Sequence, residues 1–340
     1  MPFKINNEIV NKHLLHYVPH GINHEVFKPL DKYDKTLKAR KKKLFGDTVY
    51  DFVIFYNSRN VQRKKTANTI LAFRAFCDNL TPEEASKCVL VLHTEAIQDA
   101  GTDLPATIEA LCTNYKVIID EEKQTPEDMC ANYSIADVTV LISSNEGFGL
   151  SVAESIICGT PVVVNVTGGL QDQIGQVDND GNPVTFNSKF GTNNSGKYRK
   201  HGVWAKPVWP VARGLQGSPP TPYIFDDWCT WEEVAEAFMY WYLMKPEDRE
   251  KCGLEGRRWA MNEGGLNSKN MCAQFIKAMD YTLEHFVPST SFGLYKPESF
   301  YGQTQPFNNI GVEIPVIDKN KLGIDISHTL KQLETISIKN

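Results

Sequence analysis

Between Tyr50 and Asn165, short runs of β-branched and aromatic residues alternate with longer stretches whose apolar positions recur at helical spacing. That alternation is the signature of βαβ units and a parallel sheet. Strands are expected at Asp51–Tyr56, Cys88–His93, Lys116–Ile119, Asp137–Ile142 and Pro161–Asn165. Between them, residues 66–79 set Ile70, Phe73 and Cys77 on one helical face. Thr125 reads as an N-cap with Pro126 at the first helical position, and Leu150–Cys158 as a further helix. The fold class is α/β, a doubly wound parallel sheet of Rossmann-like form, in which ligands sit at the carboxyl ends of the strands.

The rhythm fails on either side. Residues 1–16 form an N-terminal segment, and the HYVPHG stretch reads as a strand ending in a tight turn at Pro19 and Gly21. The lysine-rich run from Lys35 to Lys43 reads as the solvated face of a short helix. Residues 175–227 are rich in Gly, Asn and Pro and read as a long surface insertion. Helical patterning returns at Trp231–Leu243, Pro246–Asn262 and Ser268–Phe286, so the Rossmann-like domain is bounded at residues 17–286. Residues 287–340 read as an extended C-terminal arm with a short helix near Ser327–Leu333.

Composition adds limits. With 41% hydrophobic and 23% charged residues over 340 positions the chain can bury a core, which excludes a disordered or collagen-like protein. A net charge of -5 argues against a duplex-coating protein, so nucleic acid is not indicated, though a local basic patch could still serve a polyanion. The eight cysteines make no CxxC pair and suit a reducing compartment. Apolar runs such as Val138–Ile142 are too short to span a bilayer and no leader pattern opens the chain, so a soluble, cytoplasmic protein is expected.

The candidate chemistry lies in ADVTVLISSNEGFGLSVAESIICGTPVVVNVTGG. A buried strand runs into a loop, and Gly147 and Gly149 let backbone amides approach a ligand where a helix begins. Glu146 and Glu154 are eight residues apart, about two helical turns, so both carboxylates can face one pocket. Gly168 and Gly169 follow the next strand at the same end of the sheet. Any one of these features also fits a tight strand-to-helix turn with surface glutamates.

Taken together, Glu146, Gly147, Phe148, Gly149, Leu150 and Glu154, followed by CGTPVV and TGG, resemble the two-glutamate signature of retaining GT-B glycosyltransferases of the family 4 group. NSRNVQRKK places Arg59 and Lys64 where that family carries the arginine and lysine that hold the donor diphosphate, and VPHGINHEVFKP resembles its interdomain hinge. The resemblance implies a C-terminal, donor-binding domain. It also implies transfer of a sugar from a nucleoside-diphosphate donor with retention, catalysed by Arg59, Lys64 and Glu146. Glu154 would accept from the ribose, and Gly147, Phe148, Gly149, Leu150, Gly168 and Gly169 would complete the donor site. No cofactor or metal is expected, because side-chain cations stabilise the leaving diphosphate. Asp178, Asn179 and Asp180 precede Gly181 in a polar loop and read as turn makers, and Pro19 and Gly21 break any alignment of His13, His16, His20 and His24 into a zinc site. The acceptor is unknown, and the family's acceptor domain would be supplied by a second chain or by self-association. A sugar-nucleotide epimerase and a non-catalytic nucleotide-sugar-binding subunit share the architecture and stay open. Trp204, Trp209, Tyr223 and Trp228 give the insertion aromatic side chains for packing or sugar stacking.

Overall fold

The computed structural model describes residues 18–184, 196–218 and 221–285, with 4–5, 8–9 and 193. Two short strands, β1 (Lys4–Ile5) and β2 (Glu8–Ile9), pair antiparallel. The main sheet holds six parallel strands: β3 (Phe52–Asn57), β4 (Cys88–His93), β5 (Lys116–Asp120), β6 (Val138–Leu141), β7 (Val162–Asn165) and β8 (Ala205–Val208). Their order is β5-β4-β3-β6-β7-β8. From β3 the chain first winds outward through β4 and β5, then returns to β6 on the other side and winds outward through β7 and β8. The switch between β3 and β6 leaves a crevice at their carboxyl ends, since the connections there diverge to opposite sides.

Strands buried on both faces read as unbroken apolar runs, and β3, β6 and β7 do so because helices cover each side. One helical layer contains α2 (Thr66–Cys77), α4 (Leu104–Leu111) and α7 (Trp231–Leu243). The other contains α1 (Lys35–Phe45), α5 (Pro126–Ile135), α6 (Leu150–Ile157) and α8 (Pro246–Met261). On the first face Phe76 meets Phe238 and Tyr242 edge-on, with centroids 6.2 and 5.5 Å apart. Such pairs add specific geometry to the area they bury. The Thr125 hydroxyl accepts from Asp128 N at 3.1 Å with Pro126 in the first turn, so α5 starts where its cap residues place it. A short helix α3 (Pro82–Ser86) and α9 (Ser268–His285) complete the helices among the described residues.

Four expectations change. Among the described residues of the HYVPHG stretch no strand forms: Ile22, just beyond it, makes a single parallel bridge to Asn267, and Pro19 leaves no amide for a ladder. The lysine-rich helix α1 is not only a solvated face, because Arg40 is buried and reaches the Asp120 carboxylate and Asn132 Oδ1. Residues 175–227 are not simply an excursion. They contain β8, the edge strand of the main sheet, and the antiparallel hairpin β9 (Ala212–Ser218) and β10 (Thr221–Trp228). The helices α3 and α4 were not expected, being short segments whose capping residues Thr81 and Asp103 resemble ordinary loop residues. The arm at 287–340 and its short helix lie outside the described residues.

Candidate functional site

An open cleft of about 540 Å³ lies at the carboxyl ends of the strands, over the β3/β6 switch. Of the residues singled out in the sequence, Arg59, Lys64, Glu146, Phe148, Gly149, Leu150 and Glu154 line it. Gly147, Gly168 and Gly169 do not.

Three connections converge there. The loop after β3 carries Arg59 and a turn of 3-10 helix, Gln62–Lys64. Its shape is held by buried Asn60, whose amide donates to Thr102 O at 2.6 Å and Glu95 O at 3.1 Å while accepting from Thr102 N at 3.0 Å. The loop after β6 carries Glu146 and ends at Gly149, whose φ of +90° turns the chain into α6. No side chain caps α6, and although Val152 N bonds to Gly149 O at 3.0 Å, the amides of Leu150 and Ser151 at its start face no backbone partner among the described residues and are open to a ligand. The third connection carries Gly168 and Gly169 and supports the second. Gly169 N donates to Glu146 O at 3.0 Å, and a Cβ on Gly168 would stand 2.0 Å from that oxygen. Only glycine allows this approach, which explains the second glycine pair as the floor beneath the Glu146 loop.

Glu146 forms an ion pair with Lys64, accepts from Ser143 Oγ at 3.2 Å and meets Arg63 Nη1 at 3.4 Å. Glu146 and Lys64 are each about 10% exposed, so the pair is largely withdrawn from water. Burial pushes the Lys64 pKa down, while Glu146 holds it up against that effect. Arg59 is exposed at the cleft and forms no ion pair among the described residues, leaving its guanidinium available to an anion.

Glu154 belongs to a chain of hydrogen bonds across the cleft floor. The Tyr133 hydroxyl donates to Glu154 Oε2 at 2.7 Å and accepts from Asn57 Nδ2 at 2.8 Å. Asn57 Oδ1 pairs with His93 Nδ1 at 2.9 Å, and His93 Nε2 lies 3.1 Å from Glu122 O. Burial pushes the Glu154 carboxyl above its usual value, and the Tyr133 hydroxyl opposes that by stabilising the carboxylate. Tyr133, Asn57, His93 and Arg63 were not identified from sequence. Tyr133 reads as a core aromatic on α5, and no local spacing links it to Glu154 on the next helix. His20 comes to the cleft from the hinge-like segment and meets Phe148 edge-on, with centroids 4.9 Å apart.

Asp178 accepts from Asp180 N and Asn182 N, both at 2.9 Å, so its carboxylate closes its own turn. Among the described residues no group of three or more His, Cys, Asp or Glu is arranged to hold a metal. Of the insertion aromatics, Trp204 is buried and stacks on Trp259 at 4.9 Å, Trp228 lies under Lys65 Nζ at 3.5 Å, and Tyr223 is exposed. Trp204 is thus packed and Trp228 is engaged by a lysine of the same chain. No helix among the described residues is long and apolar enough to cross a membrane.

Residues 38–188 match the family model for Glycosyl transferases group 1. A D-inositol 3-phosphate glycosyltransferase from Geodermatophilus obscurus is 31% identical over 162 residues, covering 46% of this chain and 34% of that protein. One from Thermomonospora curvata is 40% identical over 78 residues, covering 22% of this chain and 18% of that protein. The chain thus spans about a third or less of these relatives. Among solved structures, a glycosyltransferase from Rickettsia africae superposes with a TM-score of 0.56 at 15% identity, covering 79% of this chain and 57% of that one. The Anabaena protein HepE, solved with UDP and glucose, gives 0.53 at 15% identity, covering 77% and 56%. At such identities these structures speak for the fold, which is that of GT-B glycosyltransferases. Residues 38–188 are therefore similar to the glycosyl transferases group 1 family, and the switch point of the sheet they build carries the cleft.

Proposed function

We propose that this chain is the donor-binding part of a retaining glycosyltransferase that takes a sugar from a nucleoside diphosphate. The observation that carries the reading is one cleft at the switch point in which Arg59 and Lys64 stand beside Glu146, the uncapped start of α6, and Glu154.

Each group has a task. Breaking the bond between the anomeric carbon and the diphosphate leaves charge on phosphate oxygens, which Arg59, Lys64 and the first amides of α6 stabilise. Because those cations are side chains, the scheme requires no metal. Glu146 orients Lys64 and, with the amides of Gly147, Phe148 and Gly149, holds the donor sugar. Glu154, ionised and aimed by Tyr133, accepts from the ribose hydroxyls.

The acceptor side is proposed to come from a further domain or chain. In support, the matched structures have more than two fifths of their length outside the superposition. Phe275, Ile276, Met279 and Leu283 are exposed on α9, apolar area of the kind a partner covers. The relatives named for D-inositol 3-phosphate and the structure holding UDP and glucose make UDP-glucose and a phosphorylated polyol reasonable first probes. The test is NMR of the chain with a panel of nucleotide sugars and such acceptors. Retention at the anomeric carbon, in transfer or slow donor hydrolysis, supports the reading. Inverted product or an isomerised donor contradicts it.

A further inference from the structure

Asp227 lies at the end of β10, outside the cleft lining, and is fully buried. A buried carboxylate is costly unless its oxygens are satisfied, and here both are. Thr167 Oγ1 donates to Oδ2 at 2.7 Å and Arg213 Nε to Oδ1 at 3.0 Å. Its backbone is equally engaged: Asp227 N donates to Ser144 O at 2.7 Å, and Asp227 O accepts from Asn165 Nδ2 at 2.9 Å. Asn165 Nδ2 also reaches Ser143 O at 2.9 Å.

These partners belong to the connections that hold Glu146. Ser143 donates to the Glu146 carboxylate, and Thr167 precedes the glycines beneath the Glu146 carbonyl. Ser144 N donates to Arg63 O at 2.8 Å, linking the same loop to the turn that ends in Lys64. Next to Asp227, Asp226 accepts from Asn145. The hairpin β9–β10 is therefore fastened to the back of the Lys64–Glu146 pair through its own buried acid.

We propose that Asp227 is a positioning residue of the donor site, setting the Glu146 loop and through it Lys64 for the diphosphate and sugar. This rests on the donor reading above. The ribose end, governed by Glu154 and Tyr133 on α6 and α5, shares none of the four Asp227 partners. Loss of Asp227 should thus be felt at one end of the ligand, whereas a merely structural residue would affect both ends together.

The experiment is calorimetry on the full chain with UDP, GDP and ADP and the corresponding monophosphates. For the diphosphate that the wild type binds, Asp227→Ala should weaken binding about tenfold or more, while the monophosphate changes less than about twofold, because small displacements of a positioned group have large effects. Asp227→Asn can accept from Arg213 and donate to Thr167, so it should recover most of the diphosphate affinity. Thr167→Val removes the hydroxyl that meets Asp227 Oδ2 at 2.7 Å and Ser144 O at 3.5 Å without changing shape, and carries the same comparison if the alanine variant does not fold. Unchanged affinity, or equal loss for the two ligands, overturns the inference and leaves the donor reading intact. A wild-type chain that binds none of the probes overturns the donor reading, and the inference with it.

Discussion

Replacing Tyr133 by Phe removes one oxygen from the cleft floor and leaves the packing in place. The ring is fully buried, with Phe55 and Phe27 centroids at 5.2 and 6.4 Å. What is lost is a donor to Glu154 and an acceptor for Asn57. A hydrogen bond to a charged group contributes about 1.5–3 kcal/mol and a neutral one about 1 kcal/mol, so the simple sum is about 2.5–4 kcal/mol. Glu154 limits its share, because the carboxyl can take a proton instead. The ordinary glutamate value of 4.5 lies about 2.5 pH units below neutrality, so protonation at pH 7 costs at most about 3.4 kcal/mol, and less for a carboxyl already raised by burial. Asn57 keeps its bond to His93 and a weak contact to Met129 Sδ at 3.5 Å. The expected destabilisation is about 2 kcal/mol at neutral pH.

The pH dependence identifies the cause. A carboxyl raised in the folded state gives stability that is fully present below its unfolded value and is lost as pH rises through the folded value. Without Tyr133 the folded value rises further, so the gap between variant and wild type opens as pH rises above the ordinary glutamate range. Urea denaturation followed by tryptophan fluorescence from about pH 5 to 8 measures it. A gap that is constant with pH, or that closes as pH rises, would refute a charged Glu154 held by Tyr133.

Other outcomes follow from the same geometry. Lys64→Ala and Arg59→Ala should weaken nucleoside diphosphate binding by about 1.5–3 kcal/mol each and nucleoside binding much less, by calorimetry, since in the proposed donor site both meet phosphate charge. Gly168→Ala should cost about 2–4 kcal/mol in denaturant titration, because φ there is +48° and the new Cβ would stand 2.0 Å from Glu146 O. Burial pushes the Asp172 carboxyl from 3.8 up to about 6, so its contribution of about 3 kcal/mol is present at low pH and lost as pH rises through that window. Asp172→Asn should flatten that part of the stability profile.

Much of the sheet is legible in the chain because its strands are short, apolar and separated by segments whose apolar positions recur at helical spacing. The five strands expected between Asp51 and Asn165 all form, with ends displaced by a residue or so. β8 escapes notice because Ala205–Val208 contains a lysine and a proline, which only an edge strand tolerates. At the site, features that are local in sequence are the readable ones: Glu146 and Glu154 on one loop and helix, Arg59 and Lys64 on another loop. Tyr133, Asn57 and His93 contribute through contacts between segments far apart in the chain, and Asp227 joins the Glu146 loop from a stretch whose Gly, Asn and Pro content suggests only a surface insertion. Gly168 and Gly169 were expected to touch the donor. Their observed contact is to the loop that carries Glu146, a close approach that sequence spacing does not encode.

The central claim is that a nucleoside-diphosphate sugar binds in the switch-point cleft with its phosphates at Lys64 and its ribose at Glu154. Calorimetric titration of the wild type, Lys64→Ala and Glu154→Ala with one nucleotide sugar, its nucleoside diphosphate and its nucleoside tests it most directly. The account predicts that Glu154→Ala weakens all three ligands by about 1–3 kcal/mol, as loss of a hydrogen-bonded carboxylate should. It predicts that Lys64→Ala weakens only the two ligands that carry phosphate. Equal affinities in all three proteins, or a Lys64→Ala loss as large for the nucleoside as for the diphosphate, would contradict it.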